Sequence, residues 1–97
     1  MTYVVIFKAK ILEINNEYLA TAKQLREKAL SQYQCIQFNS CYENGEEISL
    51  SYWNSLEEIQ SWKKDLDHLK AQSEGQKNWY SQYSIEICEI KRSYKNP

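Results

Sequence analysis

Glycine and proline are scarce in this sequence, two and one among 97 residues. With 42% hydrophobic and 26% charged residues, that scarcity excludes disorder, collagen-like repeats and low-complexity linkers. Long apolar runs are missing too. The longest, Val4 to Phe7, falls far short of the roughly 20 residues that a membrane-spanning helix needs. The N-terminus, MTYVVIFKAKILEINN, has no basic stretch before its apolar residues and no small-residue cleavage site, so it does not read as a signal peptide. Neither sign of charge prevails. Twelve basic against 13 acidic residues leave a net charge of −1, which argues against nucleic acid or an anionic membrane as the main partner. The three cysteines, Cys35, Cys41 and Cys88, include no C-x-x-C pair for zinc or redox work. An odd count without a secretory signal points to reduced thiols in the cytoplasm, acting as small buried apolar side chains. On one strand Cys35 and Cys41 would share a face about 20 Å apart, too far to bond. G-x-G-x-x-G, P-loop and G-x-S-x-G motifs are absent, which argues against dinucleotide cofactors, NTP hydrolysis and serine hydrolase chemistry.

Aromatic residues, by contrast, are plentiful: 3 Trp, 8 Tyr and 2 Phe. So many large rings in a short chain imply an aromatic-walled pocket, a packed oligomer interface, or both. The length suits a single domain over residues 1–97 with a modest core.

Residues 2–12 are β-branched and aromatic without a turn residue, and predict a strand that is apolar on both faces in its first half. Tyr18, Ala22, Leu25 and Ala29 then mark one face of a helix over 16–31. Residues 33–43 alternate and predict a second strand. Asn44-Gly45 predicts a tight hairpin into a third strand over 46–53. There Ile48, Leu50 and Tyr52 alternate with Glu47, Ser49, Ser51 and Trp53, as in a half-buried antiparallel strand. Ser55-Leu56-Glu57-Glu58 is a capping box, and Ile59, Trp62, Leu66 and Leu69 stripe a second helix over 56–72. Gly75 is a helix stop, 76–81 a short helical turn, and 82–93 a long last strand.

The order β-α-β-β-α-β with a central hairpin predicts an α+β, ferredoxin-like antiparallel sheet with both helices on one face. The other face needs a cover, and Ile36, Phe38, Ile85 and Ile87 are expected to supply apolar surface there. A homodimer, two sheets face to face or closed into a barrel, is the expected solution. Exchange of the long last strand would also protect the sheet edges.

From residue 51 onward the chain carries Tyr52-Trp53, Trp62-Lys63, His68, Ala71-Gln72, Gly75, Trp79-Tyr80, Tyr83, Arg92 and Tyr94 in sequence. This pattern resembles the antibiotic biosynthesis monooxygenase family, most closely its small stand-alone YqjZ-like type. It covers about the last 45 residues; the first 50 agree in pattern alone. The resemblance implies a dimeric α+β barrel with a pocket between helices and sheet in each subunit. Relatives in that family oxidise phenolic or quinol-like polycyclic substrates with O₂ and neither metal nor flavin, and others degrade haem.

The candidate residues carry more than one reading each. His68, the only histidine, is a general base by its neutral-range pKa or a surface histidine, since it lies opposite the helix stripe. With Gln72 at i+4 and no His-Cys cluster, no metal site is expected. Trp62 packs the core and, by the resemblance, lines the pocket. Trp53 is a pocket wall or packs under the second helix. Trp79, Tyr80 and Tyr83 anchor the barrel rim or touch substrate. The expected catalytic residues are His68 and Trp62, and the expected substrate-binding residues are Trp53, Phe7, Trp79 and Tyr83. In the haem-degrading relatives an Asn on the first strand and a His ten residues past the helix Trp are needed. Here Phe7 and Lys8 stand at the first position and Gln72 at the second, and His68 comes a turn too early, so haem is not expected. No paired carboxylates stand out, since Glu46-Glu47 adjoin a turn and Glu57-Glu58 open a helix. The expected function is cofactor-independent monooxygenation of an aromatic or quinol-type molecule. The alternative is a non-catalytic dimer that binds a hydrophobic small molecule or a protein.

Overall fold

The computed structural model describes residues 2–11, 16–74 and 80–96, and only the backbone of 67–74 and 80–81. The elements run β1 (Thr2–Ile11), α1 (Asn16–Gln32), β2 (Gln37–Glu43), β3 (Glu46–Trp53), α2 (Leu56–Glu74) and β4 (Tyr80–Ile90). All paired strands are antiparallel, in the order β2-β3-β1-β4. This is the expected ferredoxin-like α+β arrangement, and β1 and β3 hold its centre.

Local chemistry explains the joints. Asn44 and Gly45 take φ of 53° and 78°, the two positive values that a tight hairpin of this twist requires. Their placement fixes the register, Glu43 opposite Glu46 and Tyr42 opposite Glu47. At the start of α2 the Glu58 amide donates to Ser55 Oγ at 3.2 Å, and Ser55 Oγ donates to Glu58 Oε1 at 2.9 Å. One orphan amide of the first turn is thereby satisfied.

The second strand starts at Gln37, not at residue 33 as expected. Gln34 turns the chain in the left-handed region (φ 61°), and the Cys35 amide donates back to the Ala29 carbonyl at 2.9 Å. Residues 33–35 thus close α1 instead of pairing as strand, and the first bond to β3 is the Ile36 amide donating to the Tyr52 carbonyl at 2.7 Å. The last strand is also displaced, ending at Ile90 and beginning at Tyr80, so the expected helical turn over 76–81 is not helix at its last two residues. Gly75 and the rest of that turn lie outside the described residues.

The core joins the two helices to one face of the sheet. Val5, Leu25, Ala29, Cys35, Trp53, Ile59, Trp62 and Leu66 are buried together, with Tyr3, Tyr33, Phe38 and Ile85 packed against them. Phe38, Ile85 and Ile87 therefore lie on the helix side and not, as expected, on the open side. The open face carries Val4, Ile6, Ile48, Leu50 and Tyr52, each half-buried. The two outer cysteines also depart from expectation: Cys35 is buried, whereas Cys41 and Cys88 are exposed. They pair across the sheet with Ile48 and Val4, which puts both on the open face. Among the described residues, no helix is long and apolar enough to cross a membrane.

Candidate functional site

Strand β3 points Glu47, Ser49, Ser51 and Trp53 at the helices, and all four are buried, at 6%, 3%, 2% and 0% exposure. Three consecutive inward positions are polar where a two-layer fold would ordinarily pack hydrocarbon. A buried polar group left without a partner costs about 1–3 kcal/mol, so each needs one. Each has one. Tyr18, itself fully buried on the first turn of α1, donates its hydroxyl to Glu47 Oε1. Ser49 Oγ donates to Glu47 Oε2 at 2.8 Å. Ser40 Oγ, on neighbouring β2, lies 2.8 Å from Ser49 Oγ. The Trp53 indole N–H donates to Ser51 Oγ at 2.8 Å.

Of these, Ser40, Glu47, Ser49 and Ser51 form the floor of a narrow cleft of about 30 Å³ that opens to solvent. Its walls are apolar: Phe7 from β1, Ala22 and Leu25 from α1, Phe38 from β2, and Trp62 and Leu66 from α2. Trp62 is the keystone of the aromatic wall. Its ring centroid lies 5.4 Å from that of Trp53 and 5.9 Å from that of Phe38, the latter edge-on at 74°. Its indole N–H reaches the Leu25 carbonyl at 3.4 Å, which fixes the ring against α1. A second tie, Tyr33 Oη just past the end of α1 donating to Asp65 Oδ2 at 2.7 Å, holds α2 over the sheet.

The carboxyl of Glu47 is the chemically distinctive group. Burial raises its pKa above the ordinary value of 4.5, and the Ser49 hydrogen bond offsets part of the rise. Among the described residues no cation lies in ion-pair range of it. A carboxyl perturbed by desolvation and set in a cleft is a functional-site candidate on physical grounds. The ionised form offers about four lone-pair directions, of which Tyr18 and Ser49 take two. The remainder can accept a proton from a ligand hydroxyl lying against the aromatic wall.

Of the residues expected from sequence, Trp62 and Phe7 line the cleft. Trp53 does not; it backs Trp62 from beneath, at full burial. Tyr83 stands beside the cleft on β4, its ring 6.0 Å from that of Phe7 and its surface 39% exposed. The side chain of His68 and all of Trp79 lie outside the described residues. Sequence reasoning missed Glu47, Ser49, Ser40 and Tyr18. One signal could have found Glu47 and Ser49. Trp53 shares the parity of Glu47, Ser49 and Ser51, and a Trp at a strand end demands burial, which turns the polar parity inward. Among the described residues no three His, Cys, Asp or Glu side chains gather as a metal-ligand set.

No protein-family model matches the sequence. The chain is 30% identical over 91 residues to the uncharacterised protein YqjZ of Bacillus subtilis strain 168, covering 93% of this chain and 80% of that one. Among solved structures it superposes on a mutant of SnoaB, a cofactor-independent oxygenase from Streptomyces nogalater. The TM-score is 0.77 at 7% identity, with 98% of each chain covered. It also superposes on a candidate antibiotic biosynthesis monooxygenase from Nitrosomonas europaea, with a TM-score of 0.60 at 11% identity over 93% of this chain and 90% of the other.

Proposed function

We propose that this chain, which belongs to the YqjZ-like type of the antibiotic biosynthesis monooxygenase family, oxidises an aromatic, quinol-type small molecule with O₂ and without a cofactor. The observation that carries this reading is the buried carboxyl of Glu47 on the floor of an aromatic-walled cleft. A flat ring lies against Trp62 and Phe38 and presents its hydroxyl to Glu47. Glu47 takes the hydroxyl proton and leaves an electron-rich anion in a site of low dielectric. Its raised pKa makes the ionised carboxylate a stronger base than an exposed one. The anion gives one electron to O₂, the radical pair combines at a ring carbon, and Glu47 returns its proton to the peroxide oxygen to give a hydroperoxide. Where that carbon bears hydrogen, loss of water leaves a carbonyl. The balance is one CH₂ centre and O₂ in, one C=O and H₂O out.

Trp62 acts by orienting the ring, with Phe7 and Tyr83 as further contacts and Trp53 holding Trp62 in place. His68 is retained as a second proton carrier and Trp79 as a ring contact. The open sheet face, with Val4, Ile6, Ile48, Leu50 and Tyr52 at its centre, is proposed to pack against a second copy. The proposed setting is the cytoplasm, supported by three free thiols.

The test is oxygen uptake by metal-stripped protein against a panel of quinols, anthrones and flavonols, with boiled protein as control. Uptake is expected, and Glu47→Gln should reduce it by about 10²–10⁴-fold, the usual contribution of a positioned base. Trp62→Phe should reduce it through a raised KM. Uptake that survives Glu47→Gln unchanged would refute the assigned chemistry. Binding of the same ligands without uptake would establish the non-catalytic alternative.

A further inference from the structure

A base buried beneath a bound ligand needs a route by which its proton is exchanged with water. The apolar walls offer none, since Phe7, Leu25, Phe38 and Leu66 are hydrocarbon and the Trp62 indole N–H is committed to the Leu25 carbonyl. Along the polar floor, however, hydrogen bonds run from Glu47 towards the edge of the sheet. Ser49 Oγ donates to Glu47 Oε2 at 2.8 Å, and Ser40 Oγ stands 2.8 Å from Ser49 Oγ. A serine hydroxyl has one proton to give, and Ser49 has spent it on Glu47. The proton between the two serines therefore belongs to Ser40, and the line runs Ser40 to Ser49 to Glu47. Ser49 is 3% exposed, whereas Ser40 is exposed and lies on β2, the edge strand of the sheet. Both serines face the helix side, so a second copy on the open face would leave Ser40 in water.

We propose that Ser49 and Ser40 form a proton path between Glu47 and the exposed edge of β2. Inward, Ser40 takes a proton from hydronium in the surrounding water and passes its own to Ser49. Ser49 passes its own to Glu47 Oε2, so one proton enters and one carboxylate is neutralised. Outward, the two hydroxyls rotate and the same transfers run in reverse. Other titratable groups near Glu47 are Tyr18 from α1 and Tyr42, its cross-strand partner on β2, over which Arg26 acts. Lys8 and Lys10 of β1 have the opposite parity and face the open side.

The inference rests on Glu47 being the base of the proposed reaction, but its test needs no turnover. The protonation rate of Glu47 is read after a pH jump from the infrared band of its carboxyl, assigned by its loss in Glu47→Gln. Wild type, Ser49→Ala, Ser49→Thr and Ser40→Ala are compared at equal distance from each midpoint. Ser49→Ala should slow the rate about tenfold, the factor of one lost hydrogen bond in the path. Ser49→Thr, which keeps the hydroxyl, should restore it, and Ser40→Ala should slow it as well. A merely tuning Ser49 would move the midpoint and leave the rate alone. Equal rates in wild type, Ser49→Ala and Ser40→Ala would overturn the path and send the proton through the cleft mouth. Loss of oxygen uptake in Glu47→Gln with equal rates would leave the base and refute the path. An intact path in a protein without uptake would do the reverse.

Discussion

Glu47→Gln keeps the shape of the side chain and removes its titration, so it isolates what burial does to this carboxyl. Burial raises the folded-state pKa above the ordinary 4.5. Between those two values the folded protein holds one proton that the unfolded chain has released. Stability then falls with rising pH by about 1.4 kcal/mol per pH unit. The contribution is fully present below 4.5, is lost as pH rises through the folded value, and is constant above it. In the glutamine variant this slope is gone. A fixed offset of about 1–3 kcal/mol also enters, because Tyr18 and Ser49 both donate to the carboxylate and an amide has one oxygen to offer them. Offset and slope separate cleanly, since the offset does not depend on pH. Urea unfolding of both proteins in steps from acid to neutral pH measures the difference, and all other titrating groups cancel. For a domain of this size each kcal/mol also moves Tm by about 4–8 °C. The wild type should lose ground to the variant as pH rises out of the acid range and then run parallel to it. Parallel curves throughout would refute the claim that Glu47 is desolvated in the fold.

Trp62→Ala should cost about 3–5 kcal/mol, because it empties the contact with Trp53 and Phe38, and Trp62→Phe much less. Set against a total of roughly 5–15 kcal/mol, the alanine variant should melt well below the phenylalanine one in calorimetry. Gly45→Ala meets no atom within 4 Å, so its cost is that of the backbone at φ 78°, about 1–2 kcal/mol by chemical denaturation. Ser55→Ala should cost about 1 kcal/mol through the lost cap, read the same way. Leu50→Lys on the open face should convert a dimer to a monomer in sedimentation while the far-ultraviolet spectrum stays unchanged. An unchanged sedimentation coefficient would remove that face from the interface.

The fold was legible because its signals are local. Helix stripes at three and four residues, the capping box at Ser55 and the Asn44-Gly45 turn each act within a few residues. The orientation of β3 was not local. Ile48, Leu50 and Tyr52 form its more apolar parity and still point away from the helices. Two conditions make that stable: an inward Trp53 that supplies the bulk, and hydroxyl partners on α1 and β2 for Glu47 and Ser49. Neither partner is visible along β3 itself, since Tyr18 is 29 residues from Glu47 and Ser40 nine from Ser49. The clue in β1, apolar on both faces, marked it as a central strand without saying which strand faces which. The start of β2 was misread because Gln34 sits in a left-handed position that glycine or asparagine usually marks.

On the proposed chemistry the cleft takes an aromatic hydroxyl compound onto Glu47. The most direct test is a nuclear magnetic resonance titration with naphthohydroquinone under argon, so that binding proceeds without oxidation. The Trp62 indole and Phe38 ring signals should shift while Leu50 and Tyr52 on the open face stay put. Glu47→Gln should weaken binding by roughly tenfold, the worth of one hydrogen bond to a charged group. Shifts gathered on the open face, or equal affinity in the glutamine variant, would contradict the assignment of the site.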